Sequence, residues 1–389
     1  MRQLINPYYI YILSFLFVII LNSLKWSDYL LDLSIGLILF FAITFFIAFF
    51  CGIRLQKLRK YKYVASRKYS KSDNKRVMFI ILGYIIEFLY SRQIPLLQFG
   101  FGVSDDGFVH FGGIPTFHVI IVTYTVYYVC VYFYKLISYY SLNRLLVFLA
   151  IMLIPPLLMI NRGMLFTEII TCIFIYLLSI KKFNKKYMIY IIVVTIFSLT
   201  LFAYLGAMKV EDDYENSVIT SYVQPTKKFE STKIPSIFLW PYIYASSPIS
   251  NLQLCISKYS PMYSEIGFLK TLCPDFISSR LFDEKSSDKK KEPPLISPVF
   301  NVCTMYYGSY VSYGWIGMSI MFCINILIIS ISLLSTSANK NENYTVLYAL
   351  ICTIMTLNTF SNMWTFSAIS FPIAWVYIDK YLKRFRWFR

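Results

Sequence analysis

Long apolar runs, each bounded by charges or polar turns, recur along almost the whole 389-residue chain. A run of about 20 apolar residues is long enough for a helix to cross the roughly 30 Å hydrocarbon core of a bilayer. Hydrophobic residues make up 57% of the chain and charged residues only 15%, whereas soluble domains carry about 25% charged residues. The pattern therefore predicts an all-α polytopic membrane protein.

About ten transmembrane helices are expected from these runs. The predicted spans cover residues 8–24, 29–50, 77–90, 118–134, 145–160, 164–180, 187–207, 306–334, 344–360 and 364–381. One large loop lies between the seventh and eighth spans. The predicted organisation is an N-terminal bundle of seven spans, the loop, and a C-terminal bundle of three spans with a basic tail; these parts cover 1–207, 208–304 and 305–389.

Basic residues are concentrated in short connections. Residues 54–76 hold ten Lys/Arg against one Asp, whereas residues 209–304 hold eleven residues of each sign. Because short cytoplasmic loops collect Lys and Arg, the basic segments and both termini are expected in the cytoplasm and the large loop outside. The net charge of +17 then indicates contact with anionic lipid headgroups rather than with nucleic acid.

Metal chemistry and cofactors are not expected. The eight cysteines show no CxxC spacing and the chain has only two histidines. Cys255 and Cys273 both lie in the large loop, and a disulfide between them is open if that side of the membrane is oxidising.

Ionisable residues in or near apolar spans are candidates for function, because lipid disfavours charge. Arg162 lies in the turn 161–163 after the short span 145–160, which recesses its guanidinium at the outer boundary; the alternative is contact with lipid phosphate. Arg92 ends the third span five residues after Glu87. The alternatives to a functional role are an ion pair with that carboxylate and a simple arginine at the outer interface.

Three further side chains are candidates. His118 opens the fourth span and, when neutral, can accept a proton, although interfacial histidines are more often structural. Glu168, in the sixth span, is either a carboxylate base or the partner of a neighbouring helix. Arg280 stands beside an apolar patch of the large loop and is suited to contact an anion.

The run TMYYGSYVSYGWIG at 304–317 mixes tyrosines and glycines where the large loop returns to the membrane. The glycines permit close approach of helices. The tyrosines suit stacking and hydroxyl contacts with sugars, and a role in packing alone is equally compatible. They are Tyr307, Tyr310 and Tyr313.

Several short motifs occur in a distinctive order: IPLL at 94–97, GGIPTFH at 112–118, NRG at 161–163, and the run at 304–317 after the large loop. In these motifs and in topology across nearly its whole length, the chain resembles the Wzy-type O-antigen and oligosaccharide repeat-unit polymerases. The resemblance implies a GT-C-like bundle in a bacterial inner membrane with a large periplasmic loop.

The resemblance also implies a reaction and its participants. A growing glycan on undecaprenyl diphosphate would be transferred to a hydroxyl of a new lipid-linked repeat unit, without a nucleotide sugar or metal. Expected partners are that lipid-linked oligosaccharide, membrane lipid, and the chain-length regulator and flippase of the same pathway.

Roles for the candidate residues follow from this chemistry. Arginines would hold the diphosphate as charge develops, and a base would lie near the acceptor hydroxyl. Arg162, Arg92 and Arg280 are expected to meet the first requirement, and His118 or Glu168 the second, with Arg162 counted among the catalytic residues. The three tyrosines would contact substrate.

Three other functions remain open at this point. An O-antigen ligase would share the architecture and use a lipid A-core acceptor. A lipid-linked oligosaccharide flippase should show paired repeats and shorter loops. A purely structural membrane protein would leave the recessed Arg and Glu without a role.

Overall fold

The computed structural model describes residues 5–58, 69–100, 111–180, 189, 223–282, 294–335 and 342–384. Regular structure within these ranges is helical, apart from one isolated bridge between Ser27 and Pro225. The predicted all-α class is therefore confirmed. The predicted seventh span, 187–207, lies outside the described residues except for position 189.

The described helices differ widely in length. In chain order they are α1 (Pro7–Leu24), α2 (Ile35–Leu58), α3 (Lys71–Ser91), α4 (Pro95–Gly100), α5 (Phe117–Ser138), α6 (Leu142–Leu158), α7 (Arg162–Ser179), α8 (Lys227–Glu230), α9 (Leu239–Lys258), α10 (Glu265–Leu272), α11 (Asp275–Leu281), α12 (Tyr307–Ser335), α13 (Glu342–Leu357), α14 (Ser367–Ser370) and α15 (Pro372–Arg384). Among these, α1, α2, α5 and α12 are long and apolar enough to cross a membrane, and α6, α7 and α13 are apolar but shorter.

The outward faces of α1 and α2 are strongly apolar. Leu13 and Phe17 of α1, and Ile38 and Phe46 of α2, are each more than half exposed. Soluble proteins rarely expose contiguous apolar surface of this kind, because its contact with water is unfavourable. Lipid removes that cost, so these helices belong to a membrane-embedded protein.

The centre of the bundle is α5. It is the most buried of the four long helices, and it packs against α3, α6, α7, α13, α14 and α15. Its neighbours α6 and α7 form a tight hairpin. The backbone N–H groups of Met159 and Asn161 donate to the carbonyls of Pro155 and Pro156, and the Asn161 side chain caps α7 by accepting from the Met164 N–H at 3.0 Å. The predicted short turn is present, but it lies at residues 159–161 rather than 161–163.

A second layer covers one end of the bundle. We call residues 223–282 and 294–304 the cap; they contain α8 to α11. The cap packs its own small apolar cluster, which includes Phe229, Trp240 and Phe300, against Leu30 of the α1–α2 connection. The described part of the predicted large loop is therefore folded, and it sits where α1 ends and α2 begins.

Polar side chains of α9 attach the cap. The Tyr242 hydroxyl donates to the Leu21 carbonyl at 2.9 Å, and Gln253 accepts from the Ser34 N–H at 2.8 Å. The Asn251 amide donates to two carbonyls of the returning chain, at Phe300 and Val302, both at 2.8 Å. These bonds explain why α9 carries buried polar residues although it is not among the helices apolar enough to cross a membrane.

Buried ion pairs close the other end of the bundle. The carboxylate of Asp73, at the start of α3, pairs with Lys135 in the last turn of α5 and accepts from the Tyr128 hydroxyl at 3.1 Å. Arg76 of α3 pairs with Asp379 of α15. Charged pairs are costly to bury unless each member is bonded, so these contacts specify how α3, α5 and α15 fit together.

Two predicted spans differ from the helices observed. The second was placed at 29–50, but the chain before Ile35 is extended because its backbone N–H groups bond to the cap, including Leu31 to Ser250. The last was placed at 364–381 as one helix. The structure instead has turns through residue 366, then α14 and α15, and Pro372 helps to separate them because proline lacks the N–H that would continue α14.

Candidate functional site

A carboxylate–imidazole pair joins the end of α3 to the start of α5. Glu87 Oε2 lies 3.0 Å from His118 Nδ1. The Glu87 side chain is fully buried, whereas the His118 side chain is 31% exposed. Within the described part of the chain, Glu87 Oε1 has no hydrogen-bond partner. The pair therefore has a buried carboxyl end and a partly exposed imidazole end.

The local backbone sets this geometry. The His118 N–H bonds to the Ile114 carbonyl at 3.0 Å, so α5 begins directly at the GGIPTFH motif. A Cβ on Gly113 would approach Glu87 Oε2 to 2.5 Å and the His118 ring to 3.0 Å, whereas a Cβ on Gly112 would meet nothing within 4 Å. Only the second glycine of the motif is thus required by the carboxylate–imidazole pair.

This arrangement controls which ring nitrogen is free. A carboxylate on Nδ1 favours the tautomer that carries its proton there, which leaves Nε2 as an acceptor. The Phe111 ring packs beside the imidazole, with ring centres 5.4 Å apart. The geometry suits a general base, since a second group orients the ring and the side chain is partly exposed.

Arg280 of the cap reaches the same place. One guanidinium nitrogen donates to the Thr116 hydroxyl at 3.0 Å, two residues before His118, and the guanidinium lies 4.9 Å from the Phe276 ring centre. Arg280 is exposed, so it retains donors for an anion. The structure brings Arg280 close to the start of α5, although 162 residues separate it from His118 in the chain.

The base of α11 supports that arginine. The Asp275 N–H bonds to the Thr365 carbonyl at 2.7 Å, and the rings of Phe276 and Phe371 meet edge-on at 5.0 Å. Burial raises the pKa of the Asp275 carboxyl above its ordinary value. These contacts attach the cap to the connection between α13 and α15.

The remaining arginines are less informative. Arg92 is exposed and ends α3 in a left-handed conformation, with φ 52°. The alternative ion pair between Arg92 and Glu87 is not formed; the carboxylate turns to His118 instead. Arg162 was predicted in the turn 161–163 but is the first residue of α7, and its side chain lies outside the described residues.

Glu168 lies inside the bundle. Its side chain is fully buried, and neither carboxylate oxygen has a hydrogen-bond partner among the described residues. No hydrogen bond connects it to His118 or Arg280 among the contacts described. Of the two candidate bases, His118 is therefore the one with an exposed edge.

The three candidate tyrosines face the cap. The hydroxyl of Tyr307 donates to the Pro294 carbonyl at 3.0 Å and that of Tyr310 to the Ile256 carbonyl at 3.3 Å. Tyr313 packs edge-on against Phe268, with ring centres 5.5 Å apart. These contacts favour the packing role over direct sugar contact.

Glu87 is the residue whose partner sequence reasoning did not find. An acidic residue inside an apolar run marked it as unusual, but chain proximity suggested Arg92 as its partner. The cysteines take no part in the site: the eight are free thiols, Cys255 and Cys273 included. Among the described residues, no group of three His, Cys, Asp or Glu side chains is placed to hold a metal ion.

Fold and site together define a helical membrane-embedded protein with a folded cap over a carboxylate–imidazole pair and an exposed arginine. No family model, curated protein or solved structure matches the chain.

Proposed function

We propose that this protein is an O-antigen polymerase, a membrane glycosyltransferase that joins undecaprenyl-diphosphate-linked oligosaccharide repeat units on the periplasmic face of a bacterial inner membrane. The observation that carries the proposal is the Glu87–His118 pair with Arg280 bonded beside it. A base and a cation at one end of a membrane bundle are what transfer from a lipid diphosphate needs.

The proposed reaction uses each of these groups once. The acceptor hydroxyl oxygen attacks the anomeric carbon of the growing glycan, and the new carbon–oxygen bond replaces the bond to diphosphate, which leaves with the electron pair. His118 Nε2 takes the hydroxyl proton, and Glu87 stabilises the resulting imidazolium through Nδ1. Arg280 offsets the charge of the leaving diphosphate; Arg92 and Arg162 are assigned to the same task.

Charge distribution supports the orientation that this function requires. The basic segment 54–76 runs from the end of α2 to the start of α3, at the opposite end from the Glu87–His118 pair. By the positive-inside rule that end is cytoplasmic. Ten crossings with both termini inside remain part of the proposal, and they place the cap outside.

A deletion strain separates this function from its rivals. Loss of a polymerase should leave lipopolysaccharide in which the core carries a single repeat unit, seen as one band above bare core on a gel. A bare core alone would contradict the polymerase assignment and favour an O-antigen ligase or a lipid-linked oligosaccharide flippase.

Complementation then tests the site. His118→Asn should fail to restore the ladder, because general-base catalysis contributes about 100-fold or more, and Arg280→Ala should shorten it. Tyr140→Phe is a suitable control, since Tyr140 is exposed at the opposite end of α5. A full ladder from stably expressed His118→Asn would remove the imidazole from the mechanism.

A further inference from the structure

Helix α10 of the cap lies along the first turns of α12. The Ser264 N–H donates to the Ser312 carbonyl at 3.3 Å. A Cβ on Gly267 would lie 3.3 Å from the Ser312 hydroxyl oxygen, and a Cβ on Gly308 would lie 3.0 Å from Thr271 Cγ2. The two helices therefore run in opposite directions and in close contact, between the start of α12 and its kink.

The kink of α12 marks the level at which two apolar helices enter the membrane. Trp315 directly follows the kink, and a Cβ on Gly36, in the first turn of α2, would lie 3.3 Å from its ring. Tryptophan is enriched at the boundary between membrane and water. Residues 315–335 of α12 rise about 30 Å, which matches the hydrocarbon core of a bilayer. The part of α12 that contacts α10 therefore lies just outside that core, in the headgroup layer.

Apolar side chains project from the face of α10 that α12 does not cover. Ile266 is 51% exposed and Leu269 is 44% exposed, and their spacing of three residues places them on one face of the helix. Phe268, by contrast, is buried and packs edge-on against Tyr313 of α12. The exposed apolar surface of α12 begins directly after the kink, where Ile316 is 65% exposed. The apolar face of α10 thus adjoins the surface that α12 presents to lipid.

Charged residues limit how deeply α10 can enter. Glu265 is exposed and Lys270 is partly exposed. Hydrocarbon strongly disfavours such charges, whereas the hydrated headgroup layer accommodates helices that combine charged and apolar side chains. The composition of α10 therefore suits the membrane interface and not the bilayer core.

We propose that α10 is a membrane-interface anchor of the cap, in which Ile266 and Leu269 insert among phospholipids at the boundary between headgroups and acyl chains. Lipid covers this face because α10 lies at the level where α2 and α12 enter the bilayer. The anchor holds the cap at a fixed height over the bundle. It does not depend on the proposed glycan transfer, nor on which side of the membrane the cap faces.

Spin labelling of the full-length protein tests the anchor. A cysteine-free variant, reconstituted in vesicles of phosphatidylethanolamine and phosphatidylglycerol, carries one nitroxide at Ile266→Cys or Leu269→Cys. Oxygen concentrates in lipid and a nickel chelate stays in water, so the ratio of their effects on nitroxide relaxation reports depth. Ile316→Cys is the lipid reference. Lys228→Cys is the matched aqueous control within the cap, because the exposed side chains of α8 are charged.

The ratio of oxygen effect to nickel effect at positions 266 and 269 should be several-fold higher than at 228, and no higher than at 316. A ratio equal to that of Lys228→Cys would place α10 in water and overturn the proposal. Spin–spin broadening that disappears on dilution with unlabelled protein would assign this face to a second copy of the chain, and would overturn it as well.

A second measurement keeps the native cysteines. Brominated phospholipid in the vesicles should quench the fluorescence that Ile266→Trp adds to wild type, and should leave the fluorescence added by Lys228→Trp unchanged. Equal quenching of the two added signals would contradict an anchor at α10.

Discussion

At the scale of single residues, Gly113 packs directly against the Glu87–His118 pair. A Cβ at this position would lie within 3.0 Å of both side chains, so only glycine fits without displacing them. Neighbouring Gly112 has no such restriction. The motif GGIPTFH therefore contains one glycine that the pair requires and one that it does not.

Gly113→Ala should displace the imidazole and lower transfer activity on the order of 100-fold, because small misplacements of a catalytic group have effects of that size. Gly112→Ala should retain activity. The measurement is the O-antigen ladder in a complemented deletion strain, with protein levels checked by immunoblot. Equal ladders from the two variants would show that the Gly113 contact is unimportant.

Cys303 provides a residue-scale test of how the cap is packed. Burial raises the pKa of its thiol to about 12, with a smaller contribution from Cys255. The thiolate is the reactive species, so at pH 8 alkylation should be slower by about a thousandfold than for a free thiol of pKa about 8.5.

Mass spectrometry after timed exposure to iodoacetamide checks this expectation, and the same protein unfolded in detergent serves as the reference. Reactivity should rise as pH approaches 12. Rapid alkylation of the folded protein at pH 8 would mean that the cap is open around Cys303.

At the scale of helices, α12 is interrupted where the cap meets it. Tyr313 and Gly314 leave helical geometry, and Gly314 adopts φ 58°. The break frees carbonyls of the preceding turn, and the cap uses them: the N–H groups of Met262 and Ser264 donate to Val311 and Ser312. The kink is thus the point at which cap and membrane helix share backbone hydrogen bonds.

Gly314→Ala should destabilise the protein by about 1–3 kcal/mol, since a side chain at this backbone conformation is strained and its Cβ would lie 2.9 Å from Pro261 Cγ. The expected result is a lower melting temperature in detergent. Gly163→Ala is the control, because its Cβ has room, with the nearest atom at 3.6 Å. Equal melting temperatures would contradict a role for the kink.

The pairing of α3 with α5 depends on Asp73 and Lys135. Lys135→Met should cost about 3–5 kcal/mol, because it leaves a buried carboxylate without its cation. The double variant Asp73→Asn with Lys135→Met should recover much of this loss. The measurement is the melting temperature of wild type, Lys135→Met and the double variant in one detergent. A double variant no more stable than Lys135→Met would rule out a buried pair.

At the scale of the whole molecule, the proposed function requires the cap to face outward. Tyr263 in the cap and Tyr140 at the opposite end of α5 are both well exposed, at 69% and 68%. In a cysteine-free background, a membrane-impermeant maleimide should label Tyr263→Cys in intact cells and Tyr140→Cys only after permeabilisation. The reverse pattern would place the Glu87–His118 pair in the cytoplasm and exclude the proposed reaction.

Much of the helical architecture was predictable from the chain alone. The first span was placed at 8–24 and the helix covers Pro7–Leu24; the fourth was placed at 118–134 and the helix covers Phe117–Ser138. Lipid offers no hydrogen bonds to a backbone, so an apolar run of this length has to satisfy its own peptide groups as a helix. The short α6–α7 turn followed from the same reasoning.

Other elements were beyond that reasoning because distant segments compete for the same backbone groups. The chain before Ile35 bonds to α9 of the cap instead of extending α2. Likewise, the N–H groups of the cap, rather than the helix itself, use the carbonyls freed in α12. Hydropathy measures the solvent that a segment prefers and carries no information about such partners.

For the candidate site, sequence identified the residues but not the contacts between them. Local composition was enough to mark Glu87, His118, Glu168 and Arg280, since lipid makes each ionisable residue near an apolar run conspicuous. Which of them meet was decided by packing. Thirty-one residues separate Glu87 from His118 in the chain. The packing of α3 against α5 brings the Glu87 carboxylate to the imidazole, whereas Glu168 has no described partner. Sequence could not show this, because electrostatic interactions depend on distance in space and not along the chain.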